Sequence, residues 1–272
     1  MAVIPGVSAQ SSEQGTPVVF FPGQRLFPSV FLDPLECQAA GGSYFLFRKD
    51  ENLSLYSNVS LGFLKPVLAG IKGKTSWEFA FGTSVFTQFD LQMKDGGTYL
   101  AGLLNSDYKL TADFSLKKKN SIIRFRLFHI SSHLGDDYML RTNDTLPNDK
   151  SVNYEQADLT WMLVKGESYI YAGFGEIYTI NVFRKRFSVQ AGYLLERKTE
   201  KTVSLFTSSN IRLLAENNFY PDIRLAAGIS FNRKGESLAR IWAEYYYGRL
   251  PYGTIDYGRL NWAGLALSMD LF

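Results

Sequence analysis

Only two histidines occur in the 272 residues, and both stand in one stretch, His129-Ile130-Ser131-Ser132-His133-Leu134-Gly135-Asp136-Asp137-Tyr138. A serine hydroxyl is a weak nucleophile and needs a neighbouring base. On a β-strand, a histidine two residues from a serine shares its face at a Cα separation of about 6.5–7 Å, which long side chains can close. A third group then holds the imidazole tautomer, and a carboxylate does so better than an amide because it also stabilises the imidazolium. The spacing fits a hydrolase dyad with Ser131 as nucleophile and His129 as general base. A shared metal is the competing reading of the two histidines. Positions four apart on a strand lie roughly 13 Å apart, so His129 and His133 would not bind one ion unless 129–133 were helical. The dyad chemistry calls for no cofactor. Asp136 and Asp137 read most simply as loop residues, with a calcium ion left open.

The element that must carry these residues is 121–133. Its odd positions are Ile123, Phe125, Leu127, His129, Ser131 and His133, while Arg124 and Arg126 lie on the even face. The next alternating stretch, 151–164, reads Leu163, Trp161, Leu159 and Ala157, then Glu155, Asn153 and Ser151 on one face. Its other face carries Asp158, Gln156 and Thr160. Both apolar rows turn polar only near 134–150. A hairpin closing on that segment would put Glu155 near His129 and Asn153 near Ser131, so either is a candidate for the orienting group. The simpler alternative is that polar residues at such a rim serve structure or recognition.

Period-two alternation dominates the rest of the chain after about residue 36, and helical periodicity is nearly absent. Strands are expected at 41–49, 53–64, 75–90, 105–117, 121–133, 151–164, 167–179, 186–197, 202–214, 222–233, 237–248 and 259–272. Several are 11–14 residues long, nearer a tilted membrane strand than the usual soluble strand of five or six. The reading is therefore an all-β, transmembrane antiparallel barrel of about 12 strands, an even number as in bacterial single-chain barrels. Hydrophobic residues at 46% and charged residues at 20% exclude a disordered chain. The mean hydropathy of −0.10 and the lack of an apolar run of about 18 residues exclude helical spans. The 21 Phe and 16 Tyr suit aromatic girdles. Short joins at 117–120, 165–168 and 197–201 would be periplasmic, and the long connections 91–104, 134–150 and 249–258 external.

Residues 10–36 contain Pro17, Pro22, Pro28 and Pro34 and read as an irregular periplasmic leader or partial plug ahead of a barrel over 37–272. Residues 1–9, ending Val7-Ser8-Ala9, resemble the small-residue end of a secretory signal, the alternative being an ordinary tail. The single cysteine, Cys37, allows no internal disulfide. The net charge is +3, and the basic residues are scattered except at Lys117–Lys119 and Arg184–Arg186, so no nucleic-acid face is formed. Inward charges, Arg124, Arg126, Asp158, Glu176, Arg212, Arg224, Arg240, Glu244 and Asp270, are expected to pair across the lumen rather than line a pore. A terminal Phe272 suits an outer-membrane assembly signal and makes the barrel assembly machinery an expected partner. Leu265, Leu267, Met269 and Leu271 alternate one position out of phase with it.

Leu104-Asn105-Ser106-Asp107-Tyr108, the His129–Tyr138 stretch, Asn153-Tyr154 and the entry Phe21-Pro22-Gly23-Gln24-Arg25-Leu26-Phe27-Pro28 resemble an uncharacterised family of bacterial outer-membrane barrels over roughly residues 18–272. That resemblance implies a barrel and no reaction. A second one concerns the site. Outer-membrane phospholipase A and the lipid A deacylase carry His-x-Ser followed by Asn on an outward barrel face, with Asn or Glu as third residue. His129 and Ser131 are similar in spacing, whereas Ser132 stands where those families have Asn. The resemblance implies an esterase acting on phospholipid or lipopolysaccharide acyl chains at the bacterial outer membrane, with Glu155 or Asn153 as third member. The rival expectation is a barrel without catalysis, such as a narrow channel, a transport component or a structural protein.

Overall fold

The computed structural model describes residues 18–48, 51–93, 99–142, 153–179, 185–198, 202–233, 236–251 and 258–269. Residues 1–17, with the start of the expected leader, all of 143–152 and the terminal 270–272 with Asp270 and Phe272 lie outside the described residues. Among those described, 13 strands form one antiparallel sheet. A two-residue strand β1 (Val19–Phe20) is followed by β2 (Ala39–Arg48), β3 (Glu51–Lys72), β4 (Thr75–Met93), β5 (Tyr99–Lys118) and β6 (Ser121–Leu134). Then come a short helix α1 (Asp136–Thr142), β7 (Tyr154–Lys165), β8 (Ser168–Thr179), β9 (Phe187–Lys198), β10 (Val203–Leu214), β11 (Pro221–Arg233), β12 (Glu236–Gly248) and β13 (Leu260–Met269). Each of β2–β12 pairs with its successor, and β13 pairs back onto β2, closing a barrel of 12 strands. Closure removes every sheet edge that lipid would leave unsatisfied. At the short-turn end β3 overhangs its neighbour β2, and β1 pairs with part of that overhang through Val19↔Ala69 and Phe20↔Leu68.

The sequence alternation sorts into two environments. On β6, the even residues from Ile122 to Ser132 are buried toward the lumen, and Ile123, Phe125 and Leu127 face out. The outward row continues round the barrel through residues such as Phe81, Leu110, Leu159, Phe174, Leu205, Leu225, Ile241 and Leu265, all exposed. Large apolar side chains facing outward around a whole girth need hydrocarbon, and Tyr108, Tyr178, Tyr245 and Tyr247 stand near one end of that band, Trp161 near the other. Turns 73–74, 119–120 and 166–167 are tight and mark the periplasmic end. Among the described residues, the strand expected at 53–64 runs on past Pro66 to Lys72 at the periplasmic end, and the other main departures from the expected elements are at the opposite end. There β4 and β5 run on to Met93 and from Tyr99, and α1 lies beyond β6.

The lumen is not open. Residues 21–38 run through it, placing Phe27, Val30, Phe31 and Leu32 in the main hydrophobic cluster with Tyr44, Tyr171, Phe206, Trp242 and Trp262 from the wall. Phe31 meets Trp242 edge-on at 4.8 Å and Phe206 at 5.2 Å. The backbone of this segment is held by wall side chains. Phe31 N–H donates to Tyr169 Oη (2.9 Å), Leu35 O accepts from Lys109 Nζ, and Leu32 O accepts from Arg224. The inward arginines do pair, but largely with this segment. Arg124 Nη1 lies 3.0 Å from Glu36 Oε1, and Arg126 Nη2 bridges Asp33 (3.2 Å) and Asp158 (2.5 Å). Arg224–Glu244 (2.8 Å) and Arg240–Glu196 (3.1 Å) are pairs within the wall.

Candidate active site

His129, Ser131 and His133 lie on the outward face at the external end of β6. Their positions follow from the strand itself. With Arg124, Arg126 and Phe128 directed inward, the odd residues must point to lipid. Register supplies the neighbours. His129 faces Leu110 on β5 and Glu155 on β7, Ser131 faces Tyr108, and His133 faces Ser106. Leu110 is 64% exposed and Tyr108 49%, so β5 still presents its apolar face at the level where β6 has turned polar. The polar row therefore sits at the upper edge of the hydrocarbon rather than out in water.

Two hydrogen-bonded pairs form along this row. His129 Nδ1–H donates to Glu155 Oε1 at 2.8 Å, both side chains remaining about a third to a half exposed. Ser131 Oγ lies 3.0 Å from His133 Nε2. The ring of His133 packs edge-on against Tyr108, with centroids 5.5 Å apart. The serine thus touches the histidine on its external side, while the carboxylate holds the other one. Asn153 sits across from this point, and its Oδ1 accepts the backbone N–H of Ser132 (3.2 Å) rather than a histidine ring. Ser132 itself points into the lumen and donates to Asp107, which also accepts from Asn105 Nδ2 (2.9 Å). The adjacent serines of this motif accordingly serve opposite faces.

The end of β6 is fixed by Gly135. Its N–H donates to Leu104 O (2.8 Å), and a Cβ added there would lie 2.1 Å from Leu103 O. Asp137, in the first turn of α1, accepts the N–H of Leu103 (2.9 Å). These contacts pin the segment just past His133 to β5. Among the described residues no group of three or more His, Cys, Asp or Glu comes together to hold a metal. Calcium takes six to eight oxygens, and Asp137 is already committed to a backbone amide.

Sequence reasoning did not single out one feature beside the site. A groove of about 560 Å³ runs across the outward wall between Phe63 and Tyr178 and reaches His129 and Glu155. Its signal in the sequence is small residues in otherwise bulky outward rows, Thr83 among Phe79, Phe81 and Val85, and Ala112 between Leu110 and Phe114.

A closed antiparallel barrel of 12 strands with an apolar outward band and aromatic rims is an outer-membrane β-barrel protein. The chain belongs to the family of proteins of unknown function DUF1207, whose model matches residues 17–271. A comparison with curated proteins finds no match. Among solved structures, the outer membrane phospholipase A of Escherichia coli is similar, at 12% identity and a TM-score of 0.54 over 91% of this chain and 95% of that one. The Salmonella typhi outer membrane phospholipase dimer with bound calcium is also similar, at 12% identity and a TM-score of 0.53 over 86% and 90%. At these identities the likeness is one of fold.

Proposed function

We propose that this protein is a lipid acyl-ester hydrolase of the outer membrane, with Ser131 as nucleophile and the His129–Glu155 pair as its base. The observation that carries the reading is the hydrogen-bonded His129–Glu155 pair, two residues from a serine, on an outward face at the edge of the apolar band. Glu155 on Nδ1 fixes the tautomer in which Nε2 is an acceptor, and it stabilises the imidazolium that forms. His133 meets no carboxylate among the described residues. His129 and His133 flank Ser131 at equal spacing along the strand, so one change of staggered χ1 rotamer would move the hydroxyl from one imidazole to the other. His133 holds the serine at rest, and His129 activates it.

In the reaction, Ser131 Oγ attacks the ester carbonyl carbon as its proton passes to His129 Nε2. The tetrahedral intermediate collapses, and His129 returns the proton to the leaving lysolipid oxygen. Water, deprotonated by the same imidazole, then releases the fatty acid from the acyl-serine. Asn153, its carboxamide oriented by Ser132 N–H, is the donor proposed for the developing oxyanion. The Salmonella typhi phospholipase holds calcium, whereas the described residues here do not assemble a calcium site.

A channel gains no support from a lumen filled by residues 21–38 and crossed by buried ion pairs. The test is lipid mass spectrometry on the refolded barrel with phospholipid and with lipopolysaccharide, each with and without calcium. Fatty acid release by the wild type and none by Ser131→Ala is the expected result. Equal release by both, or none by either under every condition, overturns the reading.

A further inference from the structure

We infer that the outward groove beside the site is an acyl-chain subsite that takes one chain of a long-chain phospholipid; this rests on the reading of Ser131 as an ester nucleophile. One unbroken cross-strand row, Phe63–Thr83–Leu110–His129–Glu155, links the groove to the site over β3 to β7. A second row, Phe81–Ala112–Leu127, lies two residues nearer the periplasm. Thr83 and Ala112 are the small residues of these rows and form the floor, with Phe63, Phe81, Leu110 and Leu127 as walls. The depression therefore starts at the imidazole and descends toward the bilayer interior, as an acyl chain does from its ester. Four strand spacings separate Phe63 from Glu155, roughly 19 Å. One leaflet offers its chains about half of the ~30 Å hydrocarbon thickness, so the groove is long enough for a whole chain.

The occupant follows from the surroundings. The walls face hydrocarbon, with Phe81 and Leu110 more than half exposed, so a water-soluble ligand does not meet them. Among the described residues, the acidic side chains at the rim are the partly exposed Glu155 on β7 and the exposed Asp136 and Asp137 at the start of α1. They suit the ammonium of a zwitterionic headgroup and repel a multiply phosphorylated glycolipid.

Ala112→Trp and Thr83→Trp fill the floor from positions that face lipid, and folding is checked by the heat-dependent gel migration of the barrel. Each variant is assayed on dipalmitoyl and on water-soluble dibutyryl phosphatidylcholine. The expected result is a fall of about tenfold for the long chain, as for two methylenes denied burial, with the short-chain rate unchanged. A parallel change in both rates, or no change in either, overturns the subsite. Its standing apart from catalysis is read with the Ser131→Ala barrel and a phosphatidylcholine carrying a photoreactive group at the chain end. Cross-links concentrated on peptides containing Phe81–Thr83 and Leu110–Ala112, and lost in Ala112→Trp, support the subsite even if no hydrolysis is found. Labelling spread evenly round the girth, or a preference of lipopolysaccharide for the groove in competition, overturns it.

Discussion

Ser131 stands between two imidazoles with different surroundings, and the difference predicts unequal consequences. His129→Asn should abolish acyl release, and Glu155→Gln should lower kcat by about 10²-fold or more by loosening the tautomer and removing the charge that stabilises the imidazolium. His133→Asn removes only the resting partner of the serine and should leave most of the activity. Steady-state kinetics on the three refolded variants checks this, and equal losses at both histidines would sink the division of roles. Which residues share the outward row was legible in the sequence, because period two fixes the faces of 121–133 and 151–164 whatever the fold around them. The partner of the serine was not. It depends on a χ1 rotamer, which the strand period leaves open, and His129 and His133 are equally spaced from Ser131.

At the scale of elements, the site depends on how β6 ends. Gly135 lies against Leu103 so closely that no side chain fits. Gly135→Ala should therefore force the chain off β5 and destabilise the barrel by about 1–3 kcal/mol, as overpacking does, with the His133 end of the row displaced. Thermal unfolding followed by circular dichroism measures the first effect, and an unchanged midpoint would refute it. The strands were readable from alternation, but their ends were not. The pattern places 91–104 in a loop, whereas β4 and β5 pair from Met93↔Tyr99 down to Ser76↔Lys117. Lipid imposes strict alternation only within the hydrocarbon, so a hairpin that rises beyond it loses the signal while keeping its hydrogen bonds. Helix α1 has seven residues, too few for a 3.6-residue period to register.

The whole molecule is a barrel closed outside by pairing and inside by its own N-terminal segment. Prolines announced that this stretch is no central strand, yet they do not say where it lies. Arg124 and Arg126 were readable as inward charges, but their partners Glu36 and Asp33 come from about 90 residues earlier in the chain. Burial alone would raise both carboxyls. Arg126 outweighs it at Asp33, aided by Arg212 and Lys109, and holds that carboxyl at about 2, and Arg124 with Arg126 and Arg25 holds Glu36 below its usual range. A carboxyl held below its free value of 3.8 contributes stability that is fully present above that value and is lost as pH falls toward about 2. Planar-bilayer recordings should accordingly show a sealed barrel from neutral pH to about pH 4, with openings appearing only in more acid solution. Glu36→Gln leaves Arg124 buried with its main partner gone and should weaken seating of the segment by about 3–5 kcal/mol, so that openings appear at neutral pH. Steady conductance of the wild type at pH 7 would contradict this account of the lumen.

The most direct measurement is to treat the folded barrel with a long-chain sulfonyl fluoride and locate the adduct by peptide mass spectrometry. One covalent modification is expected, on Ser131, lost in His129→Asn and retained in His133→Asn. No adduct, or an adduct on Ser131 that forms as fast without His129, would show that this serine is not a nucleophile activated by the His129–Glu155 pair.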